Sequence, residues 1–308
     1  MAARQNIGDT RIGISGWNYG GWRGVFYPPK LAHKRELAFA SSAFRSIEIN
    51  GTHYSLQRPE DFARWVEETP EDFIFAVKGS RYITHMMKLR NPEAGLANFF
   101  AQGLLRLGPK LGPILWQFPP NFRFDRARIE PFLALLPRDS EAALKLARKH
   151  DHRVAGRTWL KIDKKRKLRH AMEIRHESFV TPDFIALLRK YRVALVSADT
   201  VDWPLLMDVT SDFIYCRLHG SEQLYASGYD APAIAAWAKR VAAWAQGGDA
   251  PDGERASPRP AAKRARRDVF VYFDNDAKVR APFDAQALVA AVAKRLASAN
   301  GTARPRTR

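Results

Sequence analysis

The sequence predicts an α/β protein built as a single (β/α)8 barrel of the TIM type. Eight short apolar, β-branched or aromatic runs recur along the 308 residues, and helix-like segments separate most of them. The runs are continuously apolar rather than alternating, which suits parallel strands covered on both faces. No long antiparallel hairpin interrupts the order. An open doubly wound sheet is the alternative architecture.

Strands are expected at Arg11–Ser15, Ser46–Ile49, Phe73–Val77, Ile114–Gln117, Ala171–Ile174, Val193–Ser197, Phe213–Arg217 and Val269–Phe273. Between them, Thr181-Pro182-Asp183 offers a cap, a proline at the first helical position and an acidic first turn ahead of Phe184, Ile185, Leu187 and Leu188. Pro59-Glu60-Asp61 opens Phe62–Val66 in the same way. Asp230 and Asp284 are candidate caps for the helices holding Trp237, Val241 and Trp244, and Leu288, Val292 and Leu296. Two steps are irregular. Val201–Ser211, between strands six and seven, contains Pro204 and is too short for a full helix, whereas the fourth loop-helix region is long.

Gly247–Arg267 is rich in Gly, Pro, Ala and charge and poor in apolar side chains, so it predicts a disordered, flexible basic insertion before strand eight. A disordered basic tail is expected over 300–308, leaving one barrel domain at 8–299.

With 46% hydrophobic and 27% charged residues, the composition excludes wholesale disorder and a collagen-like repeat. The single cysteine, Cys216, excludes an internal disulfide and any multi-cysteine zinc or iron–sulfur site. No apolar run approaches the roughly 20 residues of a membrane span, and Met1–Ile7 lacks the apolar core of a signal peptide. A soluble, cytoplasmic protein without membrane contact is the expectation. The formal charge is +18, concentrated in Arg138–His170, with 12 basic and 4 acidic residues, and in Ala245–Arg308, with 13 and 7. Such a surplus attracts polyanions, whether nucleic acid or phosphorylated metabolites, and equally serves solubility.

In a barrel, function sits where the strands end in the βα loops. Here the apolar runs end in polar residues: Glu48-Ile49-Asn50, Lys78, Gln117, Glu173-Ile174-Arg175, Asp199, Arg217-Leu218-His219-Gly220 and Asp274-Asn275-Asp276. Glu48/Asn50, Glu173/Arg175 and Arg217/His219 are i, i+2 pairs, so each pair faces one side of its strand. Aimed inward, they gather two carboxylates, two guanidiniums and an imidazole around one mouth. The competing account is a satisfied ion-pair plug that closes the barrel.

The segments SIEINGTHY, FAVKGSRYITH, LGPILWQFPPNF, HAMEIRHESF, YCRLHG followed by Tyr225 and Tyr229, and VYFDND occur in this order from Ile12 to about Leu296. In these motifs the chain resembles the YecE-like family of barrel proteins, known mainly by their fold. The resemblance implies a TIM-type barrel and no particular reaction. Glu48, Asn50, Tyr54, Lys78, Thr84, His85, Gln117, Pro119, Pro120, Glu173, Arg175, Arg217, His219, Gly220 and Asn275 match its motifs. His53 stands where Phe is usual and Asp274 where Asn is, and Lys161–Arg169 and Gly247–Arg267 look like additions.

These residues predict an enzyme that binds an anionic, phosphate- or carboxylate-bearing, ring-containing molecule at the barrel mouth. Glu48, Glu173 and His219 are the candidate acid–base residues. Trp17, Asn50, Tyr54, Lys78, Gln117, Arg175, Arg217 and Asn275 are the candidate ligand contacts, with Trp17 and Tyr54 suited to stacking on a ring. Lys78 can serve as an anion contact or a Schiff-base lysine. Gly220-Ser221 can bind a phosphate. No cofactor is required by the sequence; a divalent cation on Glu48 and Glu173 with Asp199 or His219 remains open, although no tight metal-ligand spacing occurs. The alternative is a nucleic-acid-binding protein, or a nuclease-like hydrolase, whose basic insertions hold the backbone.

Overall fold

The computed structural model describes residues 7–220 and 222–301. Eight parallel strands close into a barrel in chain order, with the last strand pairing to the first. They are β1 (Thr10–Ser15), β2 (Ser46–Ile49), β3 (Ile74–Lys78), β4 (Leu111–Gln117), β5 (His170–Glu173), β6 (Ala194–Asp199), β7 (Phe213–Leu218) and β8 (Asp268–Phe273). All eight expected runs are strands, displaced by at most a few residues at their ends. The helices are α1 (Glu36–Ala43), α2 (Gly51–Tyr54), α3 (Pro59–Glu67), α4 (Glu93–Ala101), α5 (Arg126–Leu135), α6 (Ser140–Ala147), α7 (Pro182–Lys190), α8 (Ala231–Ala245) and α9 (Ala281–Gly301).

The side chains separate into two cores because strand residues alternate between barrel and helix layer. Ile14, Ile47, Val77, Trp116, Cys216 and Val271 pack outward under the helices. Cys216 is therefore a buried packing residue, its thiol pushed far up by burial. Inside, alanines at 76, 171, 194 and 198 leave room that Phe213, Tyr215, Phe270 and Tyr272 fill from the opposite wall. The Tyr215 and Tyr272 rings lie 5.3 Å apart, and the Tyr272 hydroxyl meets Ser46 Oγ at 2.6 Å. Aromatic rings thus plug the lower barrel, and the charged residues stand on top of them.

Thr181 and Asp230 cap α7 and α8, accepting from the backbone N–H of Phe184 and Ala233, with Pro182 and Pro232 in the first turn. Asp284 does not cap its helix. α9 begins three residues earlier, and the Asp284 carboxylate instead accepts from Tyr229 N and Asn275 Nδ2. α9 also runs through Asn300 and Gly301, so the expected tail begins later than 300; residues 302–308 lie outside the described residues.

No helix joins β6 to β7, as the short, proline-bearing step implies. Leu206, Met207, Asp208, Val209 and Thr210 are nevertheless buried. Residues 247–267 provide the cover. They form no helix or strand, in keeping with their composition, and they make specific contacts with the barrel. Met207 N–H donates to Glu254 O, and the Asp208 carboxylate accepts from Ala256 N and Ser257 N at 2.8 and 3.1 Å. Arg267 is buried and donates to the carbonyls of Gly247, Gly248 and Ala262. Backbone groups taken from water must find partners, and here a loop supplies what a helix supplies elsewhere in the ring.

Asp208→Ala strands those two backbone donors and is expected to lower the unfolding free energy by about 1–3 kcal/mol in chemical denaturation. An unchanged midpoint would show that the segment is not part of the barrel's cover.

Candidate functional site

The sequence-predicted convergence holds for the inward-facing pairs and fails for one residue. Glu48, Glu173 and Arg217 meet on the barrel axis with their side chains fully buried. Arg217 Nη1 lies 2.8 Å from Glu173 Oε2. Its Nη2 lies 3.0 Å from Glu48 Oε1, 3.1 Å from Ser15 Oγ and 2.9 Å from Asp274 Oδ2. Glu48 accepts further from the Ser15 and Tyr215 hydroxyls, and Glu173 Oε1 from Arg175 Nε at 2.8 Å. Arg217 thus bridges three carboxylates from three other strand ends.

Charge this close dictates protonation. Burial pushes the Glu173 carboxyl up, but Arg217, Arg175 and the neighbouring His219 and Lys78 outweigh it and hold it well below the usual carboxylate range. Burial is likewise outweighed at Asp274 by Arg217, His219 and Lys78. Arg217 itself is held firmly protonated, since Asp274, Glu48 and Glu173 more than offset its desolvation. The guanidinium occupies the space between carboxylates where a divalent cation would sit. Asp199, the other acid considered for such a site, turns outward to accept from Trp237 Nε1. Among the described residues, no group of three His, Cys, Asp or Glu side chains is arranged to hold a metal.

Above this cluster opens a cleft of about 1020 Å³. Glu48, Glu173, Arg217 and His219 do not line it; they lie beneath its floor. Asn50, Lys78, Gln117, Arg175 and Asp274 form the floor, and Trp17, Tyr19, His53, Tyr54, Arg81, His85, Tyr225 and Asp276 stand among the walls. His219 is fully buried, with Nδ1 3.1 Å from Asp274 Oδ2 and Nε2 4.0 Å from Glu173 Oε2. The edges of Trp203 and Tyr225 pack against its ring. Arg175 lies under Trp203, its guanidinium 3.7 Å from the ring centroid.

Lys78 differs from the other buried cations. The residue is only 6% exposed, yet its ammonium makes no hydrogen bond or ion pair with any described residue. Burial and the facing Arg217 lower its pKa to about 8, against the pull of Asp274, Glu48 and Glu173. The backbone beneath it is clamped. Thr52 Oγ1 donates to Lys78 O at 2.7 Å, and His53 Nδ1 lies 2.8 Å from Gly79 O. His53 therefore ties α2 to the end of β3. Burial, then Lys78, holds its imidazole down at about 3, which fixes the ring neutral and Nδ1 as the donor. The chain then makes a π-helical turn, with Met87 N–H reaching Tyr82 O, and this turn presents His85 to the cleft. His85 Nδ1 meets Thr84 Oγ1 at 2.8 Å, and burial with Arg175 and Lys78 lowers its pKa to about 4.

Two expected ligand contacts do not reach the cleft: Arg217 is held by the carboxylates beneath the floor, as the ion-pair account expects, and Asn275 is turned away from the mouth. It follows the inward Asp274 by one residue, so it points outward and donates to Ser227 O and Asp284 Oδ2. Asp274 takes the inward position instead. The alternation of β8, counted on from Tyr272, carries that signal. Asp276 stands in the cleft wall, and burial and then Asp274 raise its carboxyl to about 6. Of the proposed phosphate loop, Gly220 N–H already donates to the Tyr229 hydroxyl, and Ser221 lies outside the described residues.

Fold and site together define a TIM-type barrel protein whose strand ends hold a buried arginine–carboxylate cluster beneath an open polar cleft. The chain belongs to the family described as "Protein of unknown function DUF72", whose model matches residues 11–308. It is 34% identical over 116 residues to the UPF0759 protein YunF of Bacillus subtilis, a match spanning 36% of this chain and 40% of that protein. It is 29% identical over 111 residues to the UPF0759 protein YecE of Escherichia coli, covering 36% and 38%. The matched stretch therefore spans about two fifths of these curated relatives. A DUF72 family protein from Thermotoga maritima superposes with a TM-score of 0.67 at 22% identity over 94% of this chain and 99% of the other. One from Enterococcus faecalis gives 0.61 at 16% over 92% and 95%. At these identities the likeness to the solved structures is one of fold.

Arg217→Met leaves three carboxylates buried without their shared cation, and is expected to lower stability at neutral pH by about 3–5 kcal/mol. The acid limb of the stability curve checks the cause. Glu173 and Asp274 titrate below their unfolded values, so their contribution is present above about pH 4 and is lost as pH falls further. That acid loss should shrink in Arg217→Met. An unaltered profile and midpoint would show the cluster to be energetically idle.

Proposed function

We propose that the protein binds an anionic, ring-bearing small molecule in the cleft and acts on it by proton transfer. The observation that carries this is the unpartnered ammonium of Lys78 at the cleft floor. The three buried carboxylates are committed to Arg217 and Arg175, so the attraction left over belongs to Lys78. A phosphate or carboxylate group of a ligand is the partner that such a cation lacks. Asn50 Oδ1, on the same floor, is buried without a hydrogen bond. Trp17 and the exposed Tyr54 face the same space and suit a ring.

Acid–base chemistry in this reading rests on the wall rather than beneath the floor. Glu48, Glu173 and His219 lack access to the cleft and hold Arg217 and Asp274 in place. Asp276, raised to about 6, has the protonation range of a general acid or base near neutrality. A small molecule is favoured over nucleic acid by where the surplus charge lies. Lys167 and Arg169 pair with Asp212 and Asp268, at the N-terminal ends of β7 and β8, away from the mouth. Residues 247–267 also enter β8 from that end. Of the first basic stretch, Arg153 reaches a smaller cleft beside Tyr54 and Arg81.

Inorganic phosphate and ribose 5-phosphate are the probes. Each should raise the melting temperature of the wild type, and Lys78→Met should weaken binding at least tenfold, as loss of a charge-assisted hydrogen bond of about 1.5–3 kcal/mol implies. Equal stabilisation of wild type and Lys78→Met by both probes would overturn the reading.

Lys78→Met should also be more stable than wild type without ligand. A lysine whose folded pKa is lowered to about 8 carries a full penalty below pH 8, and the penalty disappears as pH rises towards its unfolded value of about 10.4. The gain, on the order of 1–3 kcal/mol at pH 7, should therefore vanish near pH 10 in denaturation curves. A Lys78→Met protein that is less stable at pH 7 would mean that Lys78 has a structural partner.

A further inference from the structure

We propose that Lys78 is a nucleophile that forms an iminium with the carbonyl group of an aldehyde or ketone bearing a carboxylate or phosphate. The inference rests on the cleft reading above and names its substrate class. Four observations carry it. Lys78 ends β3 on the barrel-facing side, so its stem rises from the packed interior into the cleft floor. Its ammonium has no partner among the described residues, and no carboxylate must be displaced before it reacts. The backbone at its base is fixed by Thr52 on the Lys78 carbonyl and His53 on the Gly79 carbonyl, which anchors the root of the side chain at the cleft floor. The cleft supplies cations, Arg81 and Arg175, to hold the acid group of a carbonyl compound beside it.

The charged groups facing Lys78 come from the surrounding strand ends and loops: Arg217, Asp274, Glu48 and Glu173, with His53 and His85 coupled to it from α2 and the π-helical turn. Their balance, with burial, places the amine within reach of deprotonation near neutral pH, which an anion contact does not need and a nucleophile does. The neutral amine attacks the carbonyl carbon, forming the C–N bond, and a proton passes from nitrogen to the carbonyl oxygen. The resulting hydroxyl takes a second proton and leaves as water, and the nitrogen becomes the cationic iminium. Nothing is oxidised or reduced. Asp276, its carboxyl raised to about 6, lines the cleft as the group able to supply that second proton.

Glyoxylate, a small aldehyde carrying a carboxylate, tests this with sodium cyanoborohydride present to reduce any iminium to a stable carboxymethyl adduct. Adducts are mapped by peptide mass spectrometry as a function of time and pH. At pH 7 a lysine with pKa about 8 has roughly two-hundredfold more free amine than one with the reference pKa, so Lys78 should be labelled at least about tenfold faster than Lys34, which is exposed on the same cleft. Its rate should level off above about pH 8 and vanish from that site in Lys78→Arg, which keeps the charge. Labelling of Lys78 no faster than Lys34, or a rate still climbing through pH 10, would overturn the proposal. Inorganic phosphate separates the two readings. Phosphate that stabilises a protein whose Lys78 is not labelled preserves anion binding and rejects the nucleophile. Fast labelling that phosphate does not slow preserves the nucleophile and rejects the anion site.

Discussion

The mouth of this barrel is organised by one buried guanidinium. Arg217 reaches from β7 to carboxylates that end β2, β5 and β8, within 2.8–3.0 Å of each. A guanidinium can do this because its donors are fixed in a plane and fan outward. Taking four charges out of water is expensive, and the cost is offset only when every charge is met at close range. Here Ser15 and Tyr215 complete Glu48, and Arg175 completes Glu173. The plug beneath, formed by the Tyr215 and Tyr272 rings, gives the cluster a dry base.

That pairing of the carboxylates explains why Lys78 stands apart. Glu48, Glu173 and Asp274 face Arg217, Arg175 and Lys78, so the formal charges balance, but the hydrogen bonds do not. The arginines take the carboxylate oxygens, and Lys78 is left with distant attraction alone. A buried cation without a partner lowers stability, and proteins retain such groups where function needs them. In the proposed reading, the floor of the cleft is a place where the fold gives up stability for a group aimed at the open side.

The barrel was legible because its strands are continuous apolar runs and its helices carry ordinary caps, as at Thr181 and Asp230. The inward set was legible from parity alone, since Glu48/Asn50, Glu173/Arg175 and Arg217/His219 must share a face. Access was not legible. Parity says which way a side chain points, but not how deep its strand end lies, and so Glu48, Glu173 and His219 read as mouth residues while lying under the floor. Asn275 belongs to the strand-end motif but sits one residue past the inward position, held by Asp274, so membership of the motif does not bring it to the mouth. The contacts of the 247–267 segment were not legible because composition records how little it can bury, not that the missing helix between β6 and β7 leaves a surface for it to cover.

The most direct measurement is the titration of Lys78 itself, followed by NMR of the protein with lysines labelled at the ε-carbon and the signal assigned with Lys78→Arg. A midpoint near 8 that moves upward when inorganic phosphate is added is the result expected of an unpartnered ammonium at the floor of an anion-binding cleft. A midpoint near 10.4, indifferent to phosphate, would show that Lys78 is paired or solvated like an ordinary surface lysine and would contradict the account.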